Sequence, residues 1–139
     1  MVENNCLFCK IASGEIPSHT IYEDDSFRVI LDIAPASKGH AIILPKNHAA
    51  NIYELSELDA SKIFVVAAKV AKVMKQELNC EGLNILQNNG EIAGQTVFHL
   101  HLHLIPRYNE DKVTITWKHG EPTKEELAVL AQTISQKLS

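Results

Sequence analysis

The chain of 139 residues reads as an α+β fold: an antiparallel sheet with one long central helix and a C-terminal helix. Three observations point there. Phe98–Leu104 alternates apolar residues with His99, His101 and His103 without a break, as a strand with two unlike faces does. Other short β-rich runs follow one another through short polar connections, which suits antiparallel pairing. Two longer stretches, after Ser56 and after Thr123, repeat apolar residues at helical spacing.

In chain order, Cys6–Ala12 predicts a short helical turn, with Gly14 as its stop and Pro17 just beyond. Two short strands, Thr20–Tyr22 and Phe27–Asp32, flank a polar turn at Asp24-Asp25-Ser26. Pro35 and Gly39 bracket a loop before the apolar strand His40–Leu44, which Pro45 ends; Asn51–Leu55 is another helical turn. Ser56 can cap the main helix through its hydroxyl, with Glu57 and Asp59 near the positive end of the dipole. Ile63, Phe64, Ala67, Val70, Ala71 and Met74 then recur as its core face, and the helix should end near Leu78, before Gly82. Leu83–Gln87 is a strand, and the glycine-bearing loop Asn88–Gln95 leads into the histidine strand, which Pro106 ends or edges. Val113–Trp117 is expected as a last short strand. Thr123 and Glu126 have capping-box spacing, and Leu127, Leu130, Ile134 and Leu138 give an amphipathic helix within residues 121–139. Residues 1–5 are short, polar and expected to be flexible.

Composition sets the outer limits. One domain over residues 1–139, with 45% hydrophobic and 22% charged residues, suits an ordinary globular protein. No run of eighteen apolar residues is present and the N-terminus lacks a signal-peptide pattern, so no membrane partner and a cytoplasmic location are expected. A net charge of -4 argues against a nucleic-acid strand as partner, though not against a single nucleotide. Three cysteines, an odd number, do not form a disulfide framework.

The histidine row carries the chemistry. Imidazole is the side chain whose ordinary pKa lies near neutrality, so three in register suggest acid/base, nucleophilic or metal chemistry. Alternate residues on a strand stand roughly 6.5–7 Å apart, so His99 and His103 lie about 13 Å apart and cannot share one metal. Cys6 and Cys9 have the spacing of a zinc knuckle, or of two small buried thiols. A tetrahedral site needs two more ligands, for which His48 and His99 are the candidates. If the metal takes His99, the free imidazole at the centre of the row is His101, with His103 placed to protonate a leaving group. The loop Asn88–Thr96 suits an anion, since glycines let backbone amides approach; Asn88, Gln95 and Thr96 can add side-chain donors.

His99-Leu100-His101-Leu102-His103-Leu104-Ile105 resembles the histidine triad (HIT) motif. Asp32-Ile33, Gly39-His40, Pro45-Lys46-Asn47-His48, Asn88-Asn89-Gly90 and Gly94-Gln95-Thr96 fall in the order and spacing of its Hint branch, so the resemblance runs from about Cys6 to Arg107. It implies a HIT-like fold and a homodimer whose sheets join across a two-fold axis; the wide apolar face of Ile63–Met74 suits such an interface. It also implies a purine nucleotide substrate and catalytic roles for His99, His101, His103 and His40, with His101 as nucleophile through a nucleotidyl-histidine intermediate. The reaction implied is hydrolysis or nucleotidyl transfer at the α-phosphate of nucleoside phosphoramidates, without a catalytic cofactor. Structural zinc on Cys6, Cys9, His48 and His99 follows from relatives that keep the cysteine pair. The ribose would sit on Asp32, the base in a slot of Leu7, Phe8, Ile11, Ile30 and Ile33, and the phosphate on Asn88, Gly94, Gln95 and Thr96. Three other readings use the same residues: a dinucleoside polyphosphate hydrolase, a nucleotide-binding module with vestigial catalysis, and a zinc hydrolase with His99 and His101 on an open metal.

Overall fold

A computed structural model describes Glu3 and residues 5–138; most of the expected flexible segment 1–5 lies outside the described residues, as does Ser139. The elements are α1 (Leu7–Ser13), β1 (Thr20–Glu23), β2 (Phe27–Leu31), β3 (Ala41–Pro45), α2 (Glu57–Leu78), β4 (Gly82–Leu86), a single 3₁₀ turn (Glu91–Ala93), β5 (Leu102–Arg107) and α3 (Lys124–Leu138). The five strands form one antiparallel sheet in the order β1-β2-β3-β5-β4.

One face of the sheet is covered by α2. Ile63, Val66, Ala67, Val70 and Met74 meet Val29, Ala41, Ile43, Leu100, Leu102 and Leu104 in the main core. Truncating one of these, such as Leu104→Ala, should cost about 2–5 kcal/mol. Ser56 Oγ accepts from Asp59 N at 3.1 Å and so caps the helix start as its sequence predicts. The end is set by Asn79 in the left-handed region (φ 51°), so the chain turns before Gly82 is reached. Phe64 is 58% exposed: its position leans off the core stripe, against the expectation that it packs inside.

The other face carries α1. Ile30, Ile42 and Leu44 pack there on Ala12, Phe8 and Ile11. Every residue of β3 is buried, because its two alternating sets of side chains meet two different helices. Gly14 (φ 87°) closes α1 in the left-handed region, donating its N–H to Ile11 O. Gly39 (φ 86°) is constrained twice, since a Cβ there would also collide with Leu78 Cδ1.

Three local expectations differ from the structure. The histidine strand starts at Leu102 rather than Phe98, because Leu100 N donates to Ala49 O at 2.7 Å instead of to a neighbouring strand. Leu100 still enters the core, but Phe98 is turned out to solvent. Pro106 lies within β5, opposite Leu83, rather than ending it. The β3 ladder stops at Leu104, so no N–H is required on that side, and Pro106 O instead accepts from Ser37 Oγ at 2.6 Å. Val113–Trp117 is not a strand: no described strand runs beside it, and alternation without a ladder partner does not make one. The helix α3 does start on a reciprocal capping box between Thr123 and Glu126.

Candidate active site

The sheet face under α1 brings His40, His48, His99, His101 and His103 together with Cys6 and Cys9. Their ring nitrogens divide into three groups according to what faces them. At one end, Cys6 Sγ and Cys9 Sγ lie 3.4 and 3.5 Å from His99 Nδ1, and Cys9 Sγ lies 3.4 Å from His48 Nδ1. All four ligand atoms are within 4.8 Å of one another. Bonds of about 2.3 Å to sulfur and about 2.0–2.1 Å to nitrogen give a tetrahedral S···N edge of about 3.6 Å. The donor set therefore fits a closed four-coordinate metal. His99 is fully buried, and its Nε2–H donates to Pro45 O at 2.9 Å, which leaves Nδ1 unprotonated toward the sulfurs. Both nitrogens are thus engaged, and His99 is not among the residues lining the cavity beside His101 and His103.

At the centre, His101 Nδ1 lies 2.7 Å from the carbonyl of His99, which only a proton on Nδ1 satisfies. The lone pair on Nε2 is then the reactive one. The carbonyl lies on the same run of chain, two residues back, so the backbone itself selects the tautomer. Phe8 meets this ring in a T-shaped contact at 4.9 Å, and the His103 ring lies 4.8 Å from it. Among the described residues, His101 belongs to no group of three or more metal-type ligands.

At the far end a chain of donors begins at the main chain. Ala36 N–H donates to His40 Nδ1 at 2.9 Å, so a neutral His40 carries its proton on Nε2. His40 Nε2 lies 2.9 Å from His103 Nδ1 and 3.7 Å from Asp32 Oδ2. Donating to His103 Nδ1, it leaves His103 with its own proton on Nε2. Burial is the main influence on all four rings of the row and its neighbour: it pushes His99 and His103 down to about 4 and lowers His40 and His101. The neighbouring Asp32 carboxylate partly offsets this for His40, His101 and His103. All four are neutral at pH 7, so tautomer and not charge distinguishes them.

Two cavities meet here. One of about 340 Å³ is lined by His40, His101, His103, Asn88, Gly94 and Thr96, among others. A second, of about 470 Å³ and mostly apolar, is lined by Leu7, Phe8, Ile11, Ile30 and Ile33 with Ile16 and Pro17. Phe8, Asp32 and Ile42 line both, so they stand at the junction. Sizes in this range suit a small ligand. Ile33, 89% exposed, contributes only a rim. Asp32 Oδ1 accepts from Ala34 N at 2.8 Å, which fixes the carboxylate at the end of β2.

Gln95 departs from its expected role. Its side chain is buried, with Oε1 accepting from Gly90 N at 2.8 Å and Nε2 donating to Ala50 O at 2.7 Å and to Val97 O at 3.2 Å. Its amide donors are spent on stapling the loop and do not line the cavity. Sequence reasoning missed Ala36, whose contribution is a backbone N–H with no side-chain signature. Ile42 was within reach, because the unbroken apolar run Ala41–Leu44 already implies a strand covered on both faces.

Comparison with known proteins places this arrangement. Adenosine 5'-monophosphoramidase hnt1 of Schizosaccharomyces pombe is 42% identical over 96% of this chain and 98% of its own. The crystal structure of a HIT family protein from Bacillus anthracis superposes with a TM-score of 0.93 at 47% identity, covering 98% of this chain and 99% of that one. A Zn-bound histidine triad family protein from Mycobacterium smegmatis superposes with a TM-score of 0.74 at 36% identity, over 95% and 97% of the two chains. The HIT domain family model matches residues 13–110. With the triad, its partner His40 and the loop all in place within that span, the chain belongs to the HIT domain family.

Proposed function

We propose that the chain hydrolyses nucleoside phosphoramidates at the α-phosphorus, through a nucleotidyl-His101 intermediate. The observation that carries this reading is the tautomer pair: Nε2 of His101 holds a lone pair while the adjacent His103 holds a proton. His101 Nε2 attacks the α-phosphorus, the P–N bond breaks, and the departing amine takes the proton from His103 Nε2; the negative charge left on His103 is offset by the cationic nucleotidyl-His101 ring, whose centroid lies 4.8 Å away. His103 then takes a proton from water, whose oxygen attacks phosphorus as the P–N bond to His101 breaks, releasing the nucleoside monophosphate. His40, fixed by the Ala36 amide, holds His103 in the needed tautomer. Asn88, Gly94 and Thr96 receive the phosphate, with the loop held by Gln95; Asp32 accepts the ribose hydroxyls. The base lies in the apolar cavity, which with few polar contacts discriminates poorly between purines.

The name of the fission-yeast relative supports the amine as leaving group. The Zn-bound relative and the tetrahedral fit support a structural zinc on Cys6, Cys9, His48 and His99, with no catalytic cofactor. A homodimer with its sheets joined across a two-fold is part of the same reading, supported by the apolar Phe64, Val65 and Val73 left exposed on α2. Sedimentation at micromolar concentration should give twice the chain mass; a monomer would contradict it. A cytoplasmic setting fits three unpaired thiols and helices too short or too polar to cross a membrane among the described residues.

The test is a panel of adenosine and guanosine phosphoramidates and dinucleoside polyphosphates, assayed with stereochemically labelled phosphorus. The expected result is preferred hydrolysis of the phosphoramidates with retained configuration, since two in-line displacements cancel. Preference for the dinucleotides would favour polyphosphate hydrolysis instead. Nucleotide binding with no turnover would mark a binding module, and inversion would remove the covalent step.

A further inference from the structure

The helix α1 belongs to two sites at once. Its first turn carries Cys6 and Cys9, which face His48 and His99. Between them Phe8 lines both cavities and packs on His101 at 4.9 Å and on His99 at 6.1 Å. Leu7, Phe8 and Ile11 form one wall of the apolar cavity, opposite Ile30, Ile33 and Ile42. Seven residues are too few for a helix to hold itself together, so α1 depends on what anchors it. Its C-terminal half is anchored by buried Ala12 and by Arg28 Nε donating to Ala12 O at 3.0 Å. Its N-terminal half is held by Phe8 packed against Ile30, Ile42 and Leu44 and by the two sulfurs facing His48 and His99. A second route joins the same two sites, because the His99 whose Nδ1 faces the sulfurs also offers the carbonyl that His101 Nδ1 meets at 2.7 Å.

We propose that metal occupancy of the Cys6/Cys9/His48/His99 cluster and nucleotide binding are thermodynamically coupled, with Phe8 and the His99 carbonyl as the positioning groups that carry the coupling. The metal fastens the wall of the nucleoside cavity and the ring that bears the lone pair. Without it the first turn of α1 loosens, Phe8 withdraws from His101, and the cavity loses its shape. Coupling of this kind is reciprocal: whatever factor the metal adds to nucleotide affinity, the nucleotide adds to metal affinity. The proposal rests on the nucleotide reading above, and the experiment separates the two.

The probes are Zn²⁺ and adenosine 5'-monophosphate, used with the full chain. Titration calorimetry measures nucleotide affinity of the zinc-loaded protein and of chelated protein that retains its circular dichroism. A chromogenic chelator measures the rate of zinc loss from the loaded protein with and without saturating nucleotide. The expected coupling is on the order of tenfold in both directions, within the usual range of about 5–150-fold. Nitrogen-15 spectra of the His101 ring should show Nδ1–H in the loaded form and mixed tautomers after chelation. Phe8→Ala should keep its zinc yet lose most of the coupling. Equal nucleotide affinity with and without zinc would overturn the proposal. If the chelated protein unfolds, the zinc-loss rate decides: slowing by nucleotide in wild type but not in Phe8→Ala supports it, and no slowing, or equal slowing in both, overturns it. Loaded protein that binds no nucleotide at all would instead defeat the nucleotide reading itself.

Discussion

His99 and His103 stand at the two ends of one row, yet the protein surrounds them differently. The ring of His99 is fully buried, with Nδ1 facing sulfur and Nε2–H spent on the Pro45 carbonyl. His103 is only partly buried; its Nδ1 takes a hydrogen bond from His40, and it borders the cavity. Burial pushes both rings down to about 4, so acidity does not tell them apart. What differs is the partner of each nitrogen. A histidine whose two nitrogens are both committed is a fastener, and one with a nitrogen left toward a cavity can move a proton. His101, between them, has one nitrogen committed to the backbone and one free.

The sharpest test of this contrast lies at the centre. His101→Asn should lower turnover by roughly 10⁴-fold or more while leaving nucleotide affinity and thermal stability nearly unchanged, because binding cannot replace the covalent step. Near-normal turnover would break the assignment. Next in size is His103→Ala, expected to cost about 10²–10⁴-fold with basic amine leaving groups and far less with good ones. Rates that fall equally across a leaving-group series would show that His103 transfers no proton. At the other end, Cys9→Ser should act on stability first. Losing a metal held at 100–1,000 times its Kd removes about 3–4 kcal/mol, or about 10 °C of Tm for a domain of this size. Unchanged melting in zinc-containing buffer would reverse the contrast.

The smallest effect is in acid. Burial, and then the His101 and His40 charges, holds His103 at about 4 in the folded protein against about 6.5 when unfolded. The unfolded chain therefore takes up a proton that the native state refuses. The stability from neutral His103 is complete above pH 6.5 and is lost as pH falls from there through about 4. Melting curves for wild type should fall more steeply over that window than those for His103→Gln, by a few degrees. Metal release in acid is common to both proteins, so their difference isolates His103.

How much of this was legible in the sequence depends on how far apart the partners are. The helix α2 could be read because Ser56 and the apolar spacing act within a few residues. Cys6-x-x-Cys9 and the alternating histidines were legible for the same reason. The start of β5 was not, since a carbonyl at Ala49, far back in the chain, claims the Leu100 amide. The exposure of Phe64 and the unpaired run Val113–Trp117 also depend on tertiary neighbours. At the site, the residue types announced imidazole chemistry, but the tautomers rest on contacts such as His40 with His103, 63 positions apart. Gln95 illustrates the limit: a polar residue beside glycines suggests a ligand contact, and only the fold reveals that its amide is already taken.

The groups that decide the three tautomers are the amide of Ala36 and the carbonyls of His99 and Pro45, all of them main-chain atoms. Replacing side chains one at a time leaves these atoms in place, so an alanine scan is silent at Ala36 and at position 45 reports only the packing of the buried Pro45 ring. Genetic drift could likewise change the side chains there without cost to the chemistry. Only an edit to the backbone itself exposes their part: proline at position 36, or an ester in place of that amide, would delete the donor and let His40 adopt the other tautomer. For His40, His101 and His99 the proton positions are thus written in the main chain, and only that of His103 hangs on another side chain.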